Sequence, residues 1–205
     1  LTPQCVPNSR KDIGDSMLDV LFIAPSNAQG LYQDLSKDYA AIEPPSWACL
    51  LAESCRTNGY KVDIVDTGAE KLTLQQTCDR ITEKSPRLIC IVVYGQNVNA
   101  GTTAMSGAIR LSEYIKSQGI DTPISFIGSH VQALPTQTLN KEDSIDIAFT
   151  NEGVYALNNL LSTDISKEVL TKVRGICYRK EDGTVTINPP ERLVPQSRMD
   201  IDLPG

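Results

Sequence analysis

Short apolar runs alternate with longer amphipathic segments over most of the chain. The first, third and fourth runs are apolar almost throughout, which is typical of strands covered on both faces of a sheet. The second run alternates polar and apolar residues, which indicates a strand nearer the sheet edge. The predicted strands are residues 19–24, 61–66, 88–94, 124–128 and 145–150.

The amphipathic segments have recognisable helix ends. Thr73 is a residue type that caps helices, and Pro86 limits how far the helix after Thr73 extends. The predicted helices run from Pro45 and Ser46 to Asn58 and Gly59, from Thr73 to Ser85, and over residues 102–118 and 154–161. This alternation predicts repeated right-handed βαβ units. We therefore expect an α/β fold: a doubly wound, Rossmann-like or flavodoxin-like, five-stranded parallel sheet with helices on both faces.

The pattern changes after the fifth unit. Residues 173–179 and 184–188 flank a turn at Asp182 and Gly183, which predicts a β-hairpin. A tail rich in proline, arginine and aspartate follows and is interpreted as a linker at a domain boundary. The expected organisation is an N-terminal extension at residues 1–17, an α/β domain at 18–165, and a hairpin with linker at 166–205.

Composition excludes several classes of function. The formal net charge of −6 argues against a broad electropositive surface for nucleic acid. No apolar stretch is long enough to span a membrane, and the first 14 residues do not resemble an export signal. The six cysteines are scattered without metal-ligand spacing, so we expect buried thiols and a reducing, cytoplasmic location.

In a doubly wound sheet, ligands bind beyond the carboxyl ends of the strands. The loops at residues 25–44, 95–101, 129–139 and 151–153 therefore receive the functional interpretation. They contain neither GxGxxG nor a P-loop motif, and His130 is the only histidine. Glu152 is the best placed carboxylate, although it also suits a helix cap. We predict no catalytic residue and no metal site made by the protein.

Five stretches, taken in order, resemble the N-terminal domain of cobalamin-dependent radical SAM enzymes. They are EPPSWACLLA at residues 43–52, NGYKVDIVD at 58–66, IGSHVQALP at 127–135, DIAFTNEG at 146–153 and RMDIDLP at 198–204. The sequence departs from the family pattern at Ile127, Ser129, Asn151 and Val154, where the family often has Gly, Pro, Gly and Glu. Backbone approach to a corrin ring is less assured at these positions.

The resemblance implies that the domain binds cobalamin. In related cobalamin mutases the loop after the first strand carries DxHxxG, and Asn27 occupies the position of its cobalt-binding histidine. We therefore expect base-off cobalamin without a histidine ligand. The candidate cofactor-binding residues are Ser26, Asn27, Gln29, Gly95, Gln96, Asn97, Val98, Gly128, Ser129, His130, Asn151, Glu152 and Gly153.

The resemblance also implies a larger enzyme, of the methyltransferase type. S-adenosylmethionine and a [4Fe-4S] cluster would belong to a downstream radical SAM domain, because the CxxxCxxC cluster motif is absent from these residues. The chain alone is therefore expected to be inactive. An alternative remains open, in which the domain has lost cobalamin and serves to bind substrate or to pack against another domain.

Overall fold

The computed structural model describes residues 17–25, 44–94 and 98–204. The strands are β1 (Val20–Ala24), β2 (Val62–Asp66), β3 (Ile89–Val93), β4 (Ile124–Gly128), β5 (Ile147–Phe149), β6 (Ile176–Arg179) and β7 (Val185–Ile187). They form a seven-stranded sheet in the order β2-β1-β3-β4-β5-β6-β7. The parallel strands have the flavodoxin-like order β2-β1-β3-β4-β5. In this order the direction in which successive strands are added to the sheet reverses between β1 and β3.

The strand predictions agree with the structure for the parallel part of the sheet. β1 to β5 are mutually parallel, and β2 lies at one edge, as its alternating sequence predicted. The sheet nevertheless has seven strands rather than five. β6 pairs antiparallel with β5, and β7 pairs antiparallel with β6, so residues 176–187 extend the same sheet.

Eight α-helices occur in the described residues. They are α1 (Ser46–Thr57), α2 (Leu74–Lys84), α3 (Val98–Ser117), α4 (Ser129–Ala133), α5 (Pro135–Lys141), α6 (Val154–Leu161), α7 (Lys167–Leu170) and α8 (Met199–Asp202). A 3-10 turn at Gln196–Arg198 precedes α8. As predicted, Thr73 caps α2; it forms a capping box with Gln76.

Alternate side chains of each buried strand enter separate cores on the two faces of the sheet. In β1, Val20 and Phe22 pack with α1 and α6, whereas Leu21 and Ile23 pack with α2 and α3. All four side chains are fully buried. The central strands are apolar because helices cover both of their faces, and the sheet is therefore doubly wound. In the part of the chain that the structure describes, no helix is both long and apolar enough to cross a membrane.

Residues 129–139, which the sequence indicated to be a loop, are largely helical. α4 begins directly after β4, and Pro135 is the first residue of α5. Proline suits that position because its fixed φ angle fits a helix and its missing N–H would have no partner there. The loop prediction was therefore wrong, and Ser129 and His130 lie in the first turn of a helix.

Candidate functional site

The carboxyl ends of β1, β3, β4 and β5 form one edge of the sheet, called here the carboxyl edge. β1 and β3 are neighbours, so Ala24 and Val93 lie at adjacent strand ends. This is the switch point at which doubly wound sheets bind ligands. Six predicted site residues follow these strands but lie outside the described residues: Ser26, Asn27, Gln29, Gly95, Gln96 and Asn97. Val98 is the first residue of α3.

Gly128 allows β3 and β4 to approach each other closely at this edge. It is paired with Val93, and a Cβ atom on Gly128 would be 2.2 Å from the Val93 carbonyl oxygen. That separation is far below van der Waals contact, so only glycine fits without movement of the backbone. The glycine keeps the strand ends together and leaves no side chain above them.

The short helix α4 places three polar residues beside Gly128. Ser129 and His130 are half-buried, and the apolar Val131 points into the core and is fully buried. Gln132, the next residue along the helix, is also half-buried. The arrangement presents hydroxyl, imidazole and amide groups within one helical turn.

Gln132 connects three strand ends through hydrogen bonds. Its Nε2 amide donates to the backbone carbonyl of Asn151 at 2.6 Å and also to the Tyr94 hydroxyl. Tyr94 follows β3, Gln132 follows β4 and Asn151 follows β5, so one side chain links the three loops. Both hydrogens of the amide group are used, which fixes the orientation of Gln132.

An aromatic pair covers the α1 side of the carboxyl edge. The rings of Trp47, in the first turn of α1, and Tyr94 have centroids 5.3 Å apart and planes tilted by 52°. The Trp47 indole N–H donates to the backbone carbonyl of Glu152 at 3.3 Å. Burial is the main cause that raises the pKa of Tyr94 to about 12, so its hydroxyl is uncharged at neutral pH.

The turn at residues 151–153 connects β5 to α6. Gly153 has a φ angle of +83°, which favours glycine, and its N–H donates to the Asn151 side chain at 3.0 Å. The Glu152 carboxylate accepts a hydrogen bond from the Val194 N–H. α6 begins at Val154, and its N-cap residue is Gly153 without a side-chain cap, so the interpretation of Glu152 as a helix cap was wrong.

Sequence reasoning named the 151–153 turn, Gly128, Ser129 and His130, and the structure brings these residues to one edge. It assigned no site role to Trp47 or Tyr94. Tyr94 carried a usable signal, since it directly follows a fully buried strand. Trp47 carried none that a single sequence reveals, because its contact with Glu152 joins residues 105 positions apart.

Two other features are separate from this edge. A cleft of about 230 Å³ lies at the opposite ends of the strands, where Pro123 and Asp146 precede β4 and β5. Its charged groups are of mixed sign, and one of them, Asp146, is paired with Lys116 at 2.9 Å. Among the residues that the structure describes, no cluster of three or more His, Cys, Asp or Glu residues is suited to hold a metal ion.

Comparison with known protein families identifies the class of this domain. The B12 binding domain family matches residues 34–161, which is more than half of the 205 residues. The chain therefore belongs to the B12-binding domain family, whose ligand is cobalamin. Comparison of the sequence with curated proteins gives no match.

Solved structures share the fold at low sequence identity. One is the radical S-adenosylmethionine methyltransferase TsrM from Kitasatospora setae with cobalamin and a [4Fe-4S] cluster, at a TM-score of 0.62 and 16% identity over 86% of this chain. Another is the cobalamin-dependent S-adenosylmethionine radical enzyme OxsB with aqua-cobalamin, at 0.61 and 18% over 91% of this chain. The match spans only 30% of the TsrM chain and 24% of the OxsB chain.

Proposed function

We propose that this domain binds cobalamin across the carboxyl edge of the sheet. The observation that carries the proposal is the family match to residues 34–161, which begins after β1 and includes β3 and β4 with the segments that follow them. The residues assigned to the corrin and its tail are Ser26, Asn27, Gln29, Gly95, Gln96, Asn97 and Val98.

The described part of the edge suits such a ligand. Cobalamin is large and rich in amides, so it requires a broad surface of uncharged hydrogen-bonding groups. Ser129 and His130 supply hydrogen-bonding groups beside Gly128, where no side chain obstructs the strand ends. The Tyr94 hydroxyl is neutral, and the Glu152 carboxylate is already hydrogen-bonded to Val194.

We further propose that cobalamin is bound base-off and without a protein imidazole on cobalt. Asn27 stands where related domains have the ligating histidine, and an amide is a poor ligand for cobalt. His130 is the single histidine of the chain, and it follows β4 rather than β1. The lower face of the corrin would then meet water or an uncharged side chain.

The larger context in this proposal is a radical SAM enzyme of the methyltransferase type. When bound, cobalamin supplies methyl-transfer chemistry at its cobalt, while this chain's residues bind and orient it. S-adenosylmethionine and a [4Fe-4S] cluster would be held by a downstream domain. Residues 166–205 would then form a hairpin and a linker toward that domain. Support comes from the shared fold with TsrM and OxsB, each more than three times as long as the matched part.

A reducing, cytoplasmic location fits the same proposal. Cys55, Cys78, Cys90 and Cys177 are buried as free thiols, and Cys49 is exposed as a free thiol. Thiols in this state are typical of reducing compartments.

Titration of the purified chain with hydroxocobalamin tests cofactor binding. Trp47 is the only tryptophan, and it lies at the carboxyl edge, so a bound corrin that absorbs its emission will quench its fluorescence. We expect saturable quenching with a base-off absorption spectrum. A base-on or histidine-on spectrum would contradict the coordination, and no quenching at tens of micromolar would favour the cobalamin-free alternative.

A further inference from the structure

The chain returns to the carboxyl edge after β7. The Gly175 N–H donates to the Pro189 carbonyl at 2.9 Å, and the Arg174 guanidinium donates to the Pro190 carbonyl at 2.8 Å. Residues 189–204, called here the C-terminal segment, then run along α6. Leu203, near the end of the segment, is buried in the core shared with α1 and α6.

The side chains of the 151–153 turn bind this segment. The Asn151 Nδ2 amide donates to the Glu191 carbonyl at 3.0 Å, while Asn151 Oδ1 accepts from the Gly153 N–H. The Glu152 carboxylate accepts from the Val194 N–H. The two side chains thus hold backbone groups that lie three residues apart in the C-terminal segment.

The backbone of the same turn faces the candidate site. The carbonyl of Asn151 accepts from the Gln132 amide at 2.6 Å, and the carbonyl of Glu152 accepts from the Trp47 indole at 3.3 Å. The turn is therefore bonded through its backbone carbonyls to residues of the carboxyl edge and through its side chains to the C-terminal segment.

Tyr155, in the first turn of α6, holds both ends of a loop in this segment. The Arg192 guanidinium lies 4.5 Å from the centre of the Tyr155 ring, and the Tyr155 hydroxyl donates to the Asp202 carboxylate at 2.5 Å. Asp202 is also paired with Arg198 at 2.6 Å. Residues 193–201 therefore form a loop whose two flanking residues, Arg192 and Asp202, both contact the Tyr155 side chain.

We propose that the 151–153 turn is a connector that fixes the C-terminal segment to the carboxyl edge, with Asn151 and Glu152 as positioning residues. Their side chains hold the segment, and neither binds the cofactor. The assignment differs from the expectation that these residues contact cobalamin. It follows because both polar atoms of the Asn151 side chain and one oxygen of the Glu152 carboxylate already have hydrogen-bond partners within the turn and the C-terminal segment.

Limited trypsin digestion of the chain without cofactor tests the connector. Arg192 and Arg198 lie in the segment, whereas Arg80 lies in α2 on the other face of the sheet and reports global unfolding. The measured quantity is the ratio of the cleavage rate at Arg192 and Arg198 to that at Arg80. Glu152→Ala removes a charge-assisted hydrogen bond and is expected to raise the ratio about tenfold, since cleavage follows the population of the open segment.

Two near-isosteric variants sharpen the test. Asn151→Asp keeps the acceptor for Gly153 but removes the donor to Glu191, so it should also raise the ratio. Glu152→Gln keeps an acceptor for the Val194 N–H and should restore most of the wild-type ratio. A ratio that stays within about twofold of wild type in both Asn151→Asp and Glu152→Ala overturns the proposal, including when digestion accelerates at all sites.

A parallel measurement separates this proposal from cobalamin binding. Quenching of Trp47 by hydroxocobalamin should give dissociation constants within about threefold of wild type for Asn151→Asp and Glu152→Gln, because no cofactor contact is lost. A loss of affinity above about tenfold with an unchanged cleavage ratio would make the two residues cofactor contacts instead. If the wild type fails to bind hydroxocobalamin, the proposed function fails, while the cleavage ratio still decides the connector.

Discussion

Gly128 and Val93 lie side by side at the ends of β4 and β3, so close that a Cβ atom on Gly128 would be 2.2 Å from the Val93 carbonyl oxygen. The carbonyl carbon of Val93 would be 2.8 Å away. Because these atoms belong to the backbone of a fully buried strand, no side-chain rotation relieves the clash.

Gly128→Ala should therefore force the two strands apart at the carboxyl edge. The expected cost is about 1–3 kcal/mol in the free energy of unfolding, which is typical of overpacking. Urea unfolding followed by circular dichroism measures it. Gly119→Ala is a useful comparison, since Gly119 has a φ angle of +74° and a Cβ atom there would meet nothing within 4 Å, so it reports backbone strain alone. Equal stability of Gly128→Ala and wild type would contradict the steric argument.

Tyr94 should make stability depend on pH in the alkaline range. Its pKa is raised to about 12 in the folded chain, against about 10 in an unfolded chain. The folded state then binds more protons between these values, so stability is fully present below about pH 10 and falls as the pH rises toward about 12. Tyr94→Phe removes this contribution. The urea midpoint should fall less between pH 8 and pH 11 in the variant than in wild type, on the linkage argument. Identical declines would exclude a raised pKa at Tyr94.

The ion pair of Asp19 and Arg87 supports the opposite end of the sheet. The Arg87 guanidinium lies 2.9 Å from the Asp19 carboxylate, which also accepts from the Lys61 N–H at 2.8 Å. Asp19 is only 7% exposed, so Arg87→Met leaves a charge with little access to water. We expect a loss of about 3 kcal/mol in the free energy of unfolding. Adding Asp19→Asn should recover part of that loss, and strict additivity in this double-mutant cycle would argue against direct coupling.

Variants of His130 test separately whether this residue contributes to cofactor affinity and whether it coordinates cobalt. His130→Ala removes the only imidazole, and the proposed binding mode requires that the spectrum of the cobalamin complex remain unchanged. The dissociation constant for hydroxocobalamin should rise by about threefold, which corresponds to the loss of one hydrogen bond. His130→Gln keeps a hydrogen-bonding side chain and should bind nearly as wild type. A cobalamin spectrum that differs from wild type in both the alanine and the glutamine variant would show that His130 ligates cobalt.

Much of the parallel sheet was predictable because its signals are local. The apolar runs of β1, β3 and β4 and the alternation in β2 are properties of five or six consecutive residues. The place of β6 in the sheet was not predictable in this way. The hairpin pattern shows that β6 and β7 can pair with each other, whereas the pairing of Phe149 with Ile176 depends on how α6 and α7 pack.

The sequence predicted where the candidate site lies, but it did not predict the contacts among the residues of that site. The rule that ligands lie at strand carboxyl ends led to Gly128, Ser129 and the 151–153 turn. It did not reveal that Glu152 binds Val194 or that Gln132 joins Tyr94 to Asn151, because these contacts join segments 19 to 42 residues apart. Helix α5 was missed for a different reason, since Pro135 was interpreted as a loop residue although it starts the helix.

The number of antiparallel strands added after β5 determines at which ends of the strands the chain leaves the sheet. β5 runs toward the carboxyl edge, β6 runs back from Phe149, and β7 returns so that Ile187 lies beside Cys177. An even number of added strands brings residue 189 out beside the 151–153 turn. With one added strand, the chain would emerge at the far ends of the strands, about 15 Å away, beyond reach of Asn151 and Glu152. The hairpin is thus a reversal that returns the polypeptide to the edge it had just left.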